Sequence, residues 1–196
     1  MNSIDEKYNN MLQGNEDFEK VGWGSHDSQL NRFRIITGIG DLSECSVLDV
    51  GCGLGAFLKY AQEIYPNLLY TGSDINPKMI AGAIKRHPKA EFINTDITSS
   101  SSELRGRKFD YVFLSGALNL TEDKHDKNIR EMMEAMFKLA KKGVAINFLS
   151  IFSDYLSPGE YYSNPEKILR LAFSITPKVV LRHDYMKHDF TLYLYK

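Results

Sequence analysis

Cysteine is nearly absent from this chain of 196 residues; Cys45 and Cys52 are all it has. Two thiols cannot supply the usual four-ligand zinc site, and their spacing is not that of a redox pair. No metal site is expected, and reduced thiols in a cytoplasmic protein are the simplest account. An excess of one charge is missing too. Lys and Arg number 24 against 25 Asp and Glu, a net charge of −1. That balance gives no nucleic-acid footprint. No apolar run is long enough to span a bilayer, and residues 1–17 are too polar for a signal peptide. No membrane partner is expected. Repeats, low-complexity tracts and linkers are lacking as well. What remains is a length suited to one domain, residues 1–196, with enough apolar residues for a full core.

The most informative stretch runs from Ser46 to Leu58. Val47, Leu48 and Val50 are strand formers in a short apolar run. Gly51, Gly53 and Gly55 then open one side of a turn, so a small molecule can lie on the backbone. A helix begins near Leu54 and aims unpaired N–H groups at the same place. Two cofactors compete for such a turn. Gly51-x-Gly53-x-x-Ala56 fits the dinucleotide fingerprint. Gly51-x-Gly53-x-Gly55 preceded by Asp49 resembles instead the first motif of class I S-adenosylmethionine (SAM) methyltransferases. Asp49 favours the second. A carboxylate there suits a ligand with an ammonium and a sulfonium and would repel a pyrophosphate.

The flanking sequence reads as a doubly wound α/β fold. Ile4, Tyr8, Met11 and Leu12 recur at helical spacing, and a glycine-broken loop carries Trp23. Ser25 or Asp27 can cap a helix bearing Leu30, Phe33, Ile36 and Ile39, which Gly38 and Gly40 would end. Residues 1–40 thus read as a helical cap, with residues 45–196 as the α/β core. Phe57, Leu58, Ala61 and Ile64 mark the buried face of the first crossover helix. A second strand, Leu68–Thr71, closes with Gly72, Ser73 and Asp74. Asn76 caps the next helix and Pro77 takes its first position. Further strands are Ala90–Asn94, Phe109–Leu114 and Val144–Leu149. A helix from about Glu122 to Lys142 is expected to stop at Gly143. Residues 98–107 read as a solvated loop with a little helix, and residues 150–163 as an insertion on the binding face. A helix from Pro165 to about Phe173 precedes two β-rich runs, Lys178–Arg182 and Phe190–Tyr195, joined by His183–Asp189. That ending predicts an antiparallel hairpin, giving a mostly parallel, seven-stranded, Rossmann-like sheet.

The resemblance to class I SAM methyltransferases covers about Cys45 to Lys196 and implies roles residue by residue. Asp49, Gly51, Cys52, Gly53 and Gly55 form the turn that holds the cofactor. Asp74, about 20 residues beyond the glycines, is where a carboxylate binds both ribose hydroxyls, and Ile75 and Met79 follow it at the cofactor. Asp96 meets the adenine amino group and Ile97 covers the ring. Ser115 and Gly116 open the reaction end. In related folds an N-terminal basic residue meets the SAM carboxylate; Arg32 is the candidate and Arg34 the runner-up.

Methyl transfer from a sulfonium is an in-line displacement needing alignment and exclusion of water. Aromatic faces can stabilise the sulfonium, with Trp23, Tyr8 and Phe148 as candidates. A general base is needed for some acceptors; His26 is the first candidate, ahead of His125 and His183. No Asn/Asp-Pro-Pro-Tyr/Phe motif follows Leu114, which disfavours exocyclic base amines as acceptors. The expected activity is transfer from SAM, leaving S-adenosylhomocysteine, to a small molecule. Two alternatives stand beside it: a non-catalytic SAM-binding or regulatory module, and a NAD-dependent oxidoreductase. An aminopropyltransferase would be a variant needing acidic groups at the reaction face, for which Asp154 and Glu160 are the candidates.

Overall fold

The computed structural model describes residues 26–119 and 125–196. The apolar runs become one sheet. Its strands are β1 (Ser46–Val50), β2 (Leu69–Asp74), β3 (Glu91–Asn94), β4 (Phe109–Leu114), β5 (Ala140–Leu149), β6 (Val179–Met186) and β7 (Asp189–Tyr195). Their order is β3-β2-β1-β4-β5-β7-β6. β1 to β5 pair in parallel, and β7 inserts antiparallel between β5 and β6. The chain winds outward from β1 to β3, then returns to start β4 on the other side of β1. That reversal leaves a crevice at the carboxyl ends of β1 and β4, where ligands bind in open α/β sheets.

Five helices flank the sheet among the described residues: α1 (His26–Ile36), α2 (Ala56–Ile64), α3 (Pro77–Arg86), α4 (His125–Leu139) and α5 (Pro165–Phe173). Asn76 caps α3 by accepting from the Lys78 N–H at 2.9 Å, with Pro77 at the first helical position. Asn164 caps α5 in the same way. Successive residues of β1 serve opposite faces. Val47 joins Phe33, Phe57, Leu58 and Phe113 beneath α1 and α2. Leu48 and Val50 join Ile129, Met133, Ile168 and Ala172 beneath α4 and α5. Fully burying each of these side chains larger than alanine contributes about 1.5–3 kcal/mol.

Several expected boundaries shift. α4 stops at Leu139 and β5 starts at the next residue, so Lys141, Lys142 and Gly143 belong to a strand. Gly143 does not end the helix; it pairs with Tyr111 of β4 and Tyr195 of β7. A β-carbon there would lie 2.9 Å from Ile39 Cδ1, so close packing explains the glycine. β6 continues through His183–Met186, leaving Lys187 and His188 as the hairpin turn. Ile64, assigned to the buried face of α2, is 50% exposed. Residues 98–107 form turns without a helix, anchored by buried Leu104. The first helix around Ile4–Leu12, the Tyr8 and Trp23 readings, Ser25 and the α4 start at Glu122 fall outside the described residues.

Candidate cofactor site

A cavity of about 340 Å³ opens where the sheet order reverses. Its floor is the turn after β1. Gly51, Gly53 and Gly55 have φ of +69°, +52° and +84°, left-handed values that L side chains rarely adopt. At Gly51 a β-carbon would also overlap that of Ala117. The turn is fastened to β2: the Gly51 and Cys52 N–H groups donate to the Ser73 carbonyl at 2.8 and 3.0 Å. The Gly53 N–H donates to Asp74 Oδ2 at 3.0 Å, and the Gly55 N–H to the Cys52 carbonyl at 3.0 Å. A pyrophosphate needs such N–H groups for itself. Here all of these are committed within the protein.

Charge separates the two cofactors further. Four carboxylates line the cavity, those of Asp49, Asp74, Asp96 and Glu131, and among the described lining residues there is no lysine, arginine or histidine. Asp49 is buried and accepts from the Tyr70 hydroxyl at 2.8 Å. Burial pushes its carboxyl up to about 7, with the hydroxyl opposing the shift and Asp74 adding to it. Asp74 is also raised by burial, against the N–H groups of Asn76 and Gly53 that favour its charged form. Its Oδ1 accepts from the Asn76 N–H at 2.9 Å. With two lone pairs per oxygen it retains acceptor capacity toward the cavity. Asp96 is exposed and Oδ1 accepts from the Thr98 N–H and hydroxyl at 2.8 and 2.7 Å. This is a turn cap that leaves Oδ2 uncommitted among the described residues.

At the end near β4 and β5, Ser115 Oγ donates to Asn147 Oδ1 at 2.7 Å. Asn147 Nδ2 donates to Thr191 Oγ1, which also bonds the Tyr185 hydroxyl. Ser115 is therefore held by a polar chain reaching into β7 and β6. Burial raises the Tyr185 hydroxyl well above the ordinary phenol range.

The structure brings together Asp49, Gly51, Cys52, Gly53, Asp74, Ile75, Met79, Asp96, Ile97, Ser115 and Gly116 around one cavity. Gly55 lies outside the lining and serves as the N-cap position of α2. Arg32 must be reassigned: its guanidinium forms a two-pronged ion pair with Asp189, with Nη2–Oδ1 at 2.8 Å, and does not line the cavity. Arg34 is exposed and donates to Asn31. His26 is exposed at the start of α1, and His183 packs between Phe152 and Phe190; neither lines the cavity. Phe148 is buried on Phe190, with ring centres 5.1 Å apart, so it stabilises the core and not a sulfonium. Gln29, Asn128 and Met132 line the cavity without having been expected there, as does Phe33, which was expected only on the buried face of its helix. For Gln29 a signal existed: it lies one helical turn before Phe33, a polar residue on an apolar face.

The matching family model is described as a methyltransferase domain and spans residues 47–143. Rv1506c of Mycobacterium tuberculosis, named for methyltransferase activity without an acceptor, is 29% identical over 159 residues, covering 77% of this chain and 93% of that protein. The N-methyltransferase NodS of Bradyrhizobium japonicum, solved with S-adenosylhomocysteine, superposes with a TM-score of 0.72 at 16% identity, covering 100% of this chain and 99% of that one. Magnesium protoporphyrin IX methyltransferase of Synechocystis, solved with the same product, gives 0.70 at 17% identity over 100% and 95%. The chain carries a methyltransferase domain over residues 47–143. The two structural likenesses, at such identities, concern the fold. For this methyltransferase the cofactor fit rests on its own residues, and those fit SAM: carboxylates with no cation among the described lining residues, above a glycine turn with no N–H to spare at four positions.

Among the described residues, no cluster of three or more His, Cys, Asp or Glu can hold a metal. No described helix is long and apolar enough to cross a membrane.

Proposed function

We propose that this methyltransferase moves the methyl group of SAM to a small-molecule acceptor, with Asp49, Asp74 and Asp96 dividing the cofactor among them. The observation that carries this is the carboxylate-lined, cation-free character of the described cavity, whose volume of about 340 Å³ suits one small ligand. Asp74 accepts from the ribose hydroxyls, Asp96 Oδ2 from the adenine amino group, and Ile75 and Ile97 cover the ring. Asp49 faces the positive amino-acid arm. Cys52, Met79 and Gly116 fill space around it. Bound SAM supplies an electrophilic methyl group on a positively charged sulfur. The chain's own contribution is alignment and exclusion of water. Ser115, fixed through Asn147, marks the side of the cavity from which an acceptor approaches.

The acceptor's proton has no histidine among the described lining residues to receive it. An acceptor already deprotonated near neutral pH, or one whose proton passes to solvent, fits this site best. The balanced charge of the chain, −1, favours a small acceptor over a nucleic acid. Both cysteines are free and buried, which suits a reducing cytoplasm.

The test is product binding and turnover in wild type and Asp74→Asn. Wild type is expected to bind S-adenosylhomocysteine and, given an acceptor from a metabolite library, to release it from SAM. Asp74→Asn is expected to lose roughly a hundredfold in affinity, the equivalent of hydrogen bonds to a charged group. Binding without turnover across the library would favour the non-catalytic module. Unchanged affinity in the variant would remove Asp74 from the ribose.

A further inference from the structure

Gln29 is a buried polar residue facing the cavity, 4% exposed, and its carboxamide has no hydrogen-bond partner among the described residues. A buried amide left unpaired is costly, so such a group points to a ligand that completes it. Its place in the fold says which part of the ligand. α1 packs over β5 and α2. Phe33, one turn after Gln29, meets Phe57 edge-on with ring centres 5.3 Å apart. Asp74 and Asp96 follow β2 and β3, across β1 from that contact. Gln29 therefore stands at the end of the cavity opposite the carboxylates assigned to adenosine.

With adenosine at those carboxylates, the amino-acid arm of SAM would reach that end, and it carries both an ammonium and a carboxylate. Asp49 can match the ammonium. The carboxylate needs a donor, and the obvious ones are spent. The N–H groups of Gly51, Cys52, Gly53 and Gly55 are bonded within the protein, and Ser115 donates to Asn147. Arg32 is held by Asp189. No cationic side chain is found among the described lining residues. We infer that the Gln29 carboxamide N–H donates to the carboxylate of the cofactor's amino-acid arm, a neutral donor in the role expected of Arg32. This rests on the SAM reading of the site.

The experiment is calorimetric titration of wild type, Gln29→Leu and Gln29→Glu with three ligands. They are S-adenosylhomocysteine, its decarboxylated analogue, which keeps the amine, and methylthioadenosine, which lacks the whole arm. Gln29→Leu is expected to weaken S-adenosylhomocysteine roughly tenfold, a hydrogen bond to a charged group. Gln29→Glu should weaken it further by repulsion; Gln29→Leu should bind the other two ligands as wild type does, and Gln29→Glu should bind methylthioadenosine unchanged and the decarboxylated amine no more weakly than wild type. Methylthioadenosine binding thus doubles as the check that each variant is folded. Equal losses for all three ligands, or an unchanged affinity for S-adenosylhomocysteine, would overturn the assignment. If wild type bound none of the three, the SAM reading itself would fail, which is a distinguishable result.

Discussion

Two buried carboxylates on the α1 face of this sheet are treated in opposite ways. Asp189 begins β7, is 1% exposed, and has Arg32 delivered to it by α1. Asp49 sits in β1, is 5% exposed, and among the described residues its carboxylate has only the neutral Tyr70 hydroxyl. A buried carboxylate is costly without a positive partner. The fold supplies one at Asp189 and omits it at Asp49, where the carboxylate faces a cavity. The first charge is part of the architecture, tying α1 to the β6–β7 hairpin. The second is an affinity held in reserve for a cationic ligand.

The largest expected effect comes from breaking the satisfied pair. Arg32→Ala leaves buried Asp189 with His188, 3.8 Å away and charged only when protonated, and should cost about 3–5 kcal/mol in urea unfolding. The double variant Arg32→Met, Asp189→Leu should recover most of that. If Arg32 were a cofactor ligand with no structural role, the single variant would instead keep its stability and lose affinity.

Asp49→Asn sharpens the other side. The folded carboxyl of Asp49 titrates at about 7, above its unfolded value of 3.8. The stability linked to it is complete below the unfolded value and is lost as pH rises through about 7. Removing the charge should therefore raise the melting temperature of ligand-free protein more at pH 8 than at pH 5. The same variant should bind S-adenosylhomocysteine more weakly at pH 8. A gain in ligand-free stability paired with a loss of affinity is the mark of a charge kept for a ligand.

A smaller effect belongs to Tyr70→Phe. The hydroxyl lowers the titration point of Asp49, so its loss should move the pH midpoint of product binding upward by about a unit or less. A midpoint that stayed in place would detach Asp49 from the pH dependence.

Much of this was legible in the sequence because it depends on local chemistry. The strand-turn-helix from Ser46 to Leu58 needs its glycines where φ is positive, and Asp74 and Asp96 close strands whose apolar runs announce them. The hairpin order followed from two β-rich runs after the last helix. What the sequence hid depends on distant partners. Nothing near Arg32 indicates that Asp189, in the last strand, will claim it. Gly143 looked like a helix stop because its constraint, the approach of Ile39, lies far away in the chain. The extension of β5 back to Ala140 reflects pairing with Phe109, which outweighs the helical preference of the preceding residues. His26 is a candidate base by residue type alone, and type does not place a side chain in a cavity.

The most direct test is calorimetric titration of the wild-type protein with S-adenosylhomocysteine and with NADH, each at pH 6 and pH 8. Binding of the adenosyl amino acid should strengthen by roughly tenfold between the two pH values as Asp49 gives up its proton, while NADH gives no signal. Tight NADH binding with no response to S-adenosylhomocysteine would contradict the account, because an anionic pyrophosphate would then be held where the only charged groups among the described lining residues are carboxylates.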